Sequence, residues 1–254
     1  MIEFVLKSIN QSTVSQIDYV KELNPEQLAV VTTAEGPCLV LAGAGSGKTR
    51  TIVYRVAYLL EHGVAPEEIM LVTFTNKATR EMLRRVEELL GYWPEGLVGG
   101  TFHSLANRFL RKFAAVLGRE NNFTILDEDD AQSLLKKIIK EEHFAGVGER
   151  FPSPAVISNI ISYAVNAQKD LAEVVFDKHP QWGKFLNSLN EIAKIYQTKK
   201  QAGNLMDFDD LLYYWWRLLA EHEQVRAHLS GQFRYILVDE YQDVNVIQAS
   251  IVNL

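Results

Sequence analysis

Ala42-Gly43-Ala44-Gly45-Ser46-Gly47-Lys48-Thr49, entered from the apolar run Cys38-Leu39-Val40-Leu41, is the stretch that decides the fold of this chain. Its glycines permit positive φ and let backbone N–H groups approach phosphate oxygens closely. Lys48 is placed to neutralise β- and γ-phosphate charge, and the Thr49 hydroxyl to ligate Mg²⁺. Ala42 stands where the G-x₄-G-K-[ST] pattern has its first glycine. A glycine-rich turn with no ligand is the bland alternative; a strand before, a helix after and Lys-Thr in register argue against it.

A second motif far downstream, Ile236-Leu237-Val238-Asp239-Glu240-Tyr241-Gln242-Asp243, is an apolar strand that ends in carboxylates. Asp239 is placed to hold Mg²⁺, and Glu240 to orient or deprotonate an attacking water. Alone, such a pair is as readily two solvated acids at a strand end. Beside a phosphate loop it points to nucleotide hydrolysis.

Four apolar runs read as buried parallel strands: 38–42, 69–74, 97–102 and 235–238. Helical periodicity fills 49–62 and 76–90, each followed by glycine (Gly63, Gly91). Strand–helix alternation of this kind predicts an α/β fold, a P-loop NTPase (RecA-like) parallel sheet with helices on both faces. The stretch from about 109 to 204 is different. Helical patterns over 127–142, 154–168, 170–177 and 181–201, with only 123–126 strand-like, predict a mostly α-helical subdomain inserted into the α/β domain. The expected organisation is an α/β nucleotide-binding domain of residues 1–108 and 205–254 with an insertion of 109–204, and helix 208–220 and strand 235–238 on the return. Residues 1–20 are weakly patterned and read as a loosely held arm.

Composition narrows the classes. The chain has 254 residues, 47% hydrophobic and 23% charged, typical of a globular protein. One cysteine excludes an internal disulfide framework and a Cys-rich zinc site, and Cys38 within its apolar run reads as a buried packing residue. No apolar stretch approaches a membrane span, and the start lacks the features of a secretory signal, so a cytoplasmic protein is expected. Net charge is −6, but residues 1–120 balance 13 Lys/Arg against 13 Asp/Glu and hold Lys77, Arg80, Arg84 and Arg85 on one predicted helix. Single-strand binding needs a local basic groove and stacking rings, not a basic whole, so charge leaves nucleic acid open.

Asn24-Pro25-Glu26-Gln27-Leu28-Ala29-Val30-Val31, the 42–49 loop, Thr73-Phe74-Thr75-Asn76-Lys77-Ala78, Gly100-Thr101-Phe102-His103-Ser104 and Val238–Asp243 follow in order. With Phe123-Thr124-Ile125-Leu126-Asp127 and Met206-Asp207-Phe208-Asp209-Asp210-Leu211-Leu212, the chain from Leu23 onward resembles the amino-terminal part of UvrD/Rep/PcrA-type superfamily 1 DNA helicases. The resemblance implies ATP as the nucleotide with Mg²⁺, single-stranded or 3′-tailed duplex DNA as partner, and 3′→5′ movement. It makes Gln27 the residue whose amide reads adenine, although Asn24, Pro25 and Gln27 also spell a helix capping box. It places Arg50 near the nucleotide, where a solvated first-turn arginine is the plain alternative. Lys48, Glu240 and Gln242 become candidate catalytic residues, and Tyr241 and Gln242 resemble coupling residues between phosphate and DNA.

Phe74, Asn76, Thr101, Phe102 and His103 become candidate DNA contacts, since rings stack on bases and polar groups bond phosphates. Phe74 as simple core, and His103 as a polar residue opening a helix, stay open. Asp207 reads as a helix cap, and the aromatic run through Trp216 as core. Complete family members continue beyond Asp243 into a second motor domain carrying arginines for the γ-phosphate. The resemblance therefore implies weak nucleotide binding, very slow hydrolysis and no unwinding by this length of chain alone. A helicase arm of an AddA/RecB-type helicase–nuclease and a non-enzymatic DNA-binding or docking piece are the alternatives.

Overall fold

The computed structural model describes residues 17–43, 45–144 and 150–254. In chain order the elements are α1 (Tyr19–Glu22), α2 (Pro25–Thr33), α3 (Lys48–Glu61), β1 (Ile69–Thr73), α4 (Asn76–Leu90), β2 (Val98–Thr101), α5 (Phe102–Phe113), β3 (Thr124–Ile125) and α6 (Glu128–Glu141). Then follow α7 (Pro154–Ala167), α8 (Leu171–Lys178), α9 (Leu186–Ala202), β4 (Leu205–Met206), α10 (Phe208–Glu221), α11 (Glu223–Gln232), β5 (Tyr235–Val238) and α12 (Val246–Val252). Packing divides the chain into two compact units, 1–99 with 233–239, and 100–232 with 240–254.

The first unit is built on a sheet of order β2-β1-β5, in which β1 and β5 run parallel with Ile69 opposite Tyr235 and Val72 opposite Val238. β1 is buried along its whole length, as expected for a central strand covered on both faces. Val53, Val56, Leu60, Ile69, Leu71, Met82 and Val86 form one core, which fixes α3 and α4 against the sheet. Each helix is stopped by local chemistry. Thr75 caps α4 by accepting the Ala78 N–H at 3.1 Å, and Gly91 ends it at φ 75. Buried Arg55 on α3 donates to the carbonyls of Val31 (2.7 Å) and Ala34 (2.5 Å), so it satisfies the orphan acceptors at the end of α2 and clamps that helix to α3.

One expected strand is not formed. The run 38–42 joins no ladder, and Leu39 and Leu41 are 67% and 87% exposed. Cys38 is exposed too, contrary to its expected burial. An apolar run becomes a strand only when a partner edge takes up its N–H and C=O groups. No edge takes up 38–42: β5 ends the sheet of the described residues, and its outer side pairs with nothing from this run. The remaining elements give the expected α/β architecture with a parallel sheet.

The second unit is almost wholly helical. Leu135, Ile138, Ile157, Ile160, Val174, Leu189 and Ile192 lock α6, α7, α8 and α9 around one core. β3 and β4 pair in parallel over two residues, Thr124 with Leu205 and Ile125 with Met206. The helix expected over 181–201 is split: a 3₁₀ turn runs Pro180–Phe185, then α9 begins. Gly183 sits against the Phe176 ring, where an added Cβ would stand 3.1 Å away. α10 carries the aromatic run inward, with Tyr214 and Trp215 buried and the Trp215 ring 5.4 Å from that of Phe109.

Candidate nucleotide and DNA sites

In the first unit the phosphate-loop residues Gly43 to Thr49 lead straight into the N-terminus of α3, whose free N–H groups and dipole favour an anion. Ala44 lies outside the described residues. The loop is held by its own polar groups: Ser46 Oγ donates to the Gly43 carbonyl at 2.7 Å. Lys48 Nζ curls back over the loop, 3.1 Å from the Ala42 carbonyl and 3.3 Å from that of Gly43. Thr49 is half-buried in the first turn of α3.

Gln27 closes the cap that the sequence spells and also reaches the phosphate loop. Its Oε1 accepts the Asn24 N–H at 3.2 Å, which closes the capping box of α2. Its Nε2 donates to the Ser46 carbonyl at 2.9 Å, which brings the amide onto the phosphate loop. Gly47 is the residue that permits this. It sits at φ +86, and a Cβ there would stand 2.7 Å from Gln27 Nε2. Gly47→Ala is therefore expected to cost about 1–2 kcal/mol of left-handed strain and to push Gln27 off the loop. Urea unfolding would show the lost stability, and nucleotide titration a weaker affinity. Arg50 is turned elsewhere: Nη2 lies 2.7 Å from Glu22 Oε2, and the guanidinium stands 4.9 Å from the Tyr54 ring.

Asp239 is buried at the end of β5, with its N–H on the Val72 carbonyl at 2.9 Å, so the β1–β5 ladder holds its backbone. The Thr49 hydroxyl and the Asp239 carboxylate are hard oxygen donors of the kind Mg²⁺ takes, usually alongside phosphate oxygens and water. Among the described residues no cluster of three or more His, Cys, Asp or Glu could hold a metal by itself.

Phe74, also in the first unit, is 64% exposed, so it is not core. Asn76, Lys77 and Arg80 are exposed beside it at the start of α4. Arg84 and Arg85 are instead neutralised along the helix by Glu88 and Glu81. What remains is a bare ring, a polar amide, two cations and a helix N-terminus on one stretch of surface.

The second unit holds the other candidates. Glu240 adopts the left-handed conformation at φ 52, costly for a residue with a Cβ and a recurrent feature of functional sites. Its carboxylate accepts a short hydrogen bond from Gln242 Nε2, which ties the two residues proposed for catalysis to each other. Thr101 caps α5, its Oγ1 accepting the Ser104 N–H at 3.2 Å. Phe102 is buried, its ring 6.4 Å from that of Trp215, so it supports the strand end and is not displayed there. His103 is half-buried; burial pushes its pKa below the usual imidazole value, and the negative charge of Asp209 opposes that shift.

Sequence reasoning missed Phe208. It is 50% exposed at the start of α10, with its ring edge-on to that of His103 at 5.8 Å. Its signal was an aromatic between the acids Asp207 and Asp209, read there only as part of a helix cap.

Residues 23–254 match the model of the UvrD/REP helicase N-terminal domain. The chain is 40% identical over 239 residues to the ATP-dependent DNA helicase PcrA of Staphylococcus epidermidis, covering 92% of this chain and 32% of that protein. It is 39% identical over 236 residues to the protein of the same name from Staphylococcus aureus, covering 91% and 31%. The chain thus spans about a third of the length of these relatives.

Proposed function

Since this chain belongs to the UvrD/REP helicase N-terminal domain family, we propose that it is the ATP- and single-stranded-DNA-binding portion of an ATP-dependent DNA helicase. The observation that carries the reading is the Gln27 amide resting on the Ser46 carbonyl of a phosphate loop that opens helix α3. An amide with both donor and acceptor, next to a helix N-terminus suited to phosphate, supports a base-reading role for Gln27. Lys48 and the loop N–H groups bind the phosphates, and Thr49 and Asp239 hold Mg²⁺, which when bound neutralises the triphosphate. Glu240, oriented by Gln242, positions the attacking water and receives its proton. Arg50, paired with Glu22, supports the first turn of α3 and approaches the nucleotide only by leaving that partner.

Phe74, with Asn76, supplies a stacking ring and a phosphate contact for single-stranded DNA, and Thr101 and His103 supply further polar contacts. The motor is assigned to 1–108 and 205–254, with 109–204 as its helical insertion. Single-stranded or 3′-tailed duplex DNA as the substrate form, 3′→5′ polarity and a cytoplasmic location belong to the same proposal. Among the described residues no helix is long and apolar enough to cross a membrane.

The test is binding of a fluorescein-labelled oligo-dT, followed by anisotropy. Base stacking on an exposed ring contributes about 1–3 kcal/mol, so Phe74→Ala is expected to weaken binding about 5- to 150-fold. The fold should be untouched, because the ring packs little. An unchanged affinity would remove Phe74 from the DNA face.

A further inference from the structure

We propose that Asn166 is a positioning residue that fastens the exit of the Glu240–Asp243 turn to Asp209, and through Asp209 to the His103–Phe208 pair. The inference rests on the reading of Glu240 and His103 as hydrolytic and DNA-contacting groups, and everything it invokes lies within the second unit.

Asn166, on α7 in the helical segment, uses both ends of its amide in opposite directions. Oδ1 accepts from Asn245 Nδ2 at 2.8 Å, and Nδ2 donates to Asp209 Oδ1 at 2.6 Å. The orientation is dictated by chemistry. Nδ2 also faces the Ser162 carbonyl at 2.9 Å and the Ser162 hydroxyl at 3.3 Å, and neither a carboxylate nor a carbonyl could donate to a flipped amide oxygen.

Asn245 is equally committed. It caps α12, its Oδ1 accepting the Gln248 N–H at 3.0 Å and its own N–H donating to Gln248 Oε1 at 3.1 Å. Its Nδ2 is therefore the group left to reach Asn166. Ser250 Oγ, one turn on, donates to Gln168 Oε1 at 2.9 Å and fastens α12 to the end of α7 a second time.

The consequence follows from where these residues stand. Asn245 comes two residues after the 3₁₀ turn Tyr241–Asp243, which begins at the left-handed Glu240. Asp209 is the residue after Phe208, and its charge acts on His103. A rearrangement of the Glu240 turn moves the cap of α12, and Asn166 transmits that movement to Asp209, whose charge acts on His103 and whose neighbour Phe208 packs against the His103 ring. The three residues lie far apart in the chain, and this one amide closes the link.

The test uses the intact 254-residue chain. The His103 ring is titrated by NMR in the wild type, in Asn166→Ala, in Asn245→Ala and in the double variant. Without the amide donor the Asp209 charge is less compensated, so the His103 midpoint should rise in Asn166→Ala. It should rise by less in Asn245→Ala, and the double variant should move no further than Asn166→Ala alone, as expected for one linked path. Asp209→Asn should lower the midpoint and so calibrates the direction. A His103 midpoint unchanged in both single variants, with only the unfolding temperature lowered, would reduce Asn166 to a packing contact and overturn the proposal. Failure of the wild type to bind oligo-dT would refute the proposed DNA role instead, and the titration would still decide the link.

Discussion

Lys200→Met is expected to destabilise the second unit by about 3–5 kcal/mol, because it leaves two buried carboxylates without their cation. Lys200 is 2% exposed, and its Nζ lies 2.6 Å from Asp207 Oδ2 and 2.6 Å from Asp210 Oδ2. Tyr196 donates to the same Asp207 oxygen at 2.9 Å, and Asp207 and Asp210 cap α10 reciprocally. The cluster therefore joins the last turns of α9 to the first turn of α10, where Phe208 and Asp209 stand. Urea unfolding of the variant beside Lys200→Arg reads the loss; a change under about 1 kcal/mol would place the cluster among ordinary surface pairs.

One cation facing two carboxylates also leaves a net buried negative charge. Burial pushes the Asp210 pKa from 3.8 up to about 6, against the pull of Lys200. The sign of the linkage follows. The folded chain holds this proton more tightly than the unfolded chain, so the contribution is fully present below the unfolded pKa and is lost as pH rises through the folded one. Relative to Asp210→Asn, wild-type stability should fall between about pH 4 and pH 6 and then level off. A relative stability that rises over that window would contradict the raised pKa.

The second large effect is at the phosphate loop. Lys48→Ala is expected to weaken Mg·ATP binding about 10- to 150-fold, from the roughly 1.5–3 kcal/mol of a hydrogen bond to a charged group. Among the described residues the ammonium bonds to the Ala42 and Gly43 carbonyls, both in the exposed loop, so the fold should survive its removal. Any ATP turnover by the chain should fall further, about 10²–10³-fold, since the charge matters most where negative charge develops. Circular dichroism checks that the helices persist, and equal turnover in the two proteins would confine the chain to binding.

How far the sequence could be read depended on whether the signal was local. α4 came out at its expected bounds because Thr75 and Gly91 punctuate it, and β5 because its apolar run is paired along its length with β1. The 38–42 run carried the same apolar signal and formed no strand, since periodicity reports what a segment would bury and not whether an edge receives it. The Gln27 capping box was legible in its local spacing, but the 2.9 Å bond from its amide to the Ser46 carbonyl, 19 residues on, was not. Phe74 could not be separated from core until its exposure was seen. Asn166 gave no signal at all, because its partners are 43 and 79 residues away and hydrogen bonds at that range leave no spacing to detect.

The central claim is that one chain carries a nucleotide site centred on the Lys48 loop and a separate single-strand contact at Phe74. It is tested most directly by titrating wild type, Lys48→Ala and Phe74→Ala with fluorescent Mg·ATP and with labelled oligo-dT. The account predicts saturable nucleotide binding weakened in Lys48→Ala and unchanged in Phe74→Ala, with the opposite pattern for oligo-dT. Nucleotide binding that is absent from the wild type, or indifferent to Lys48, would contradict it.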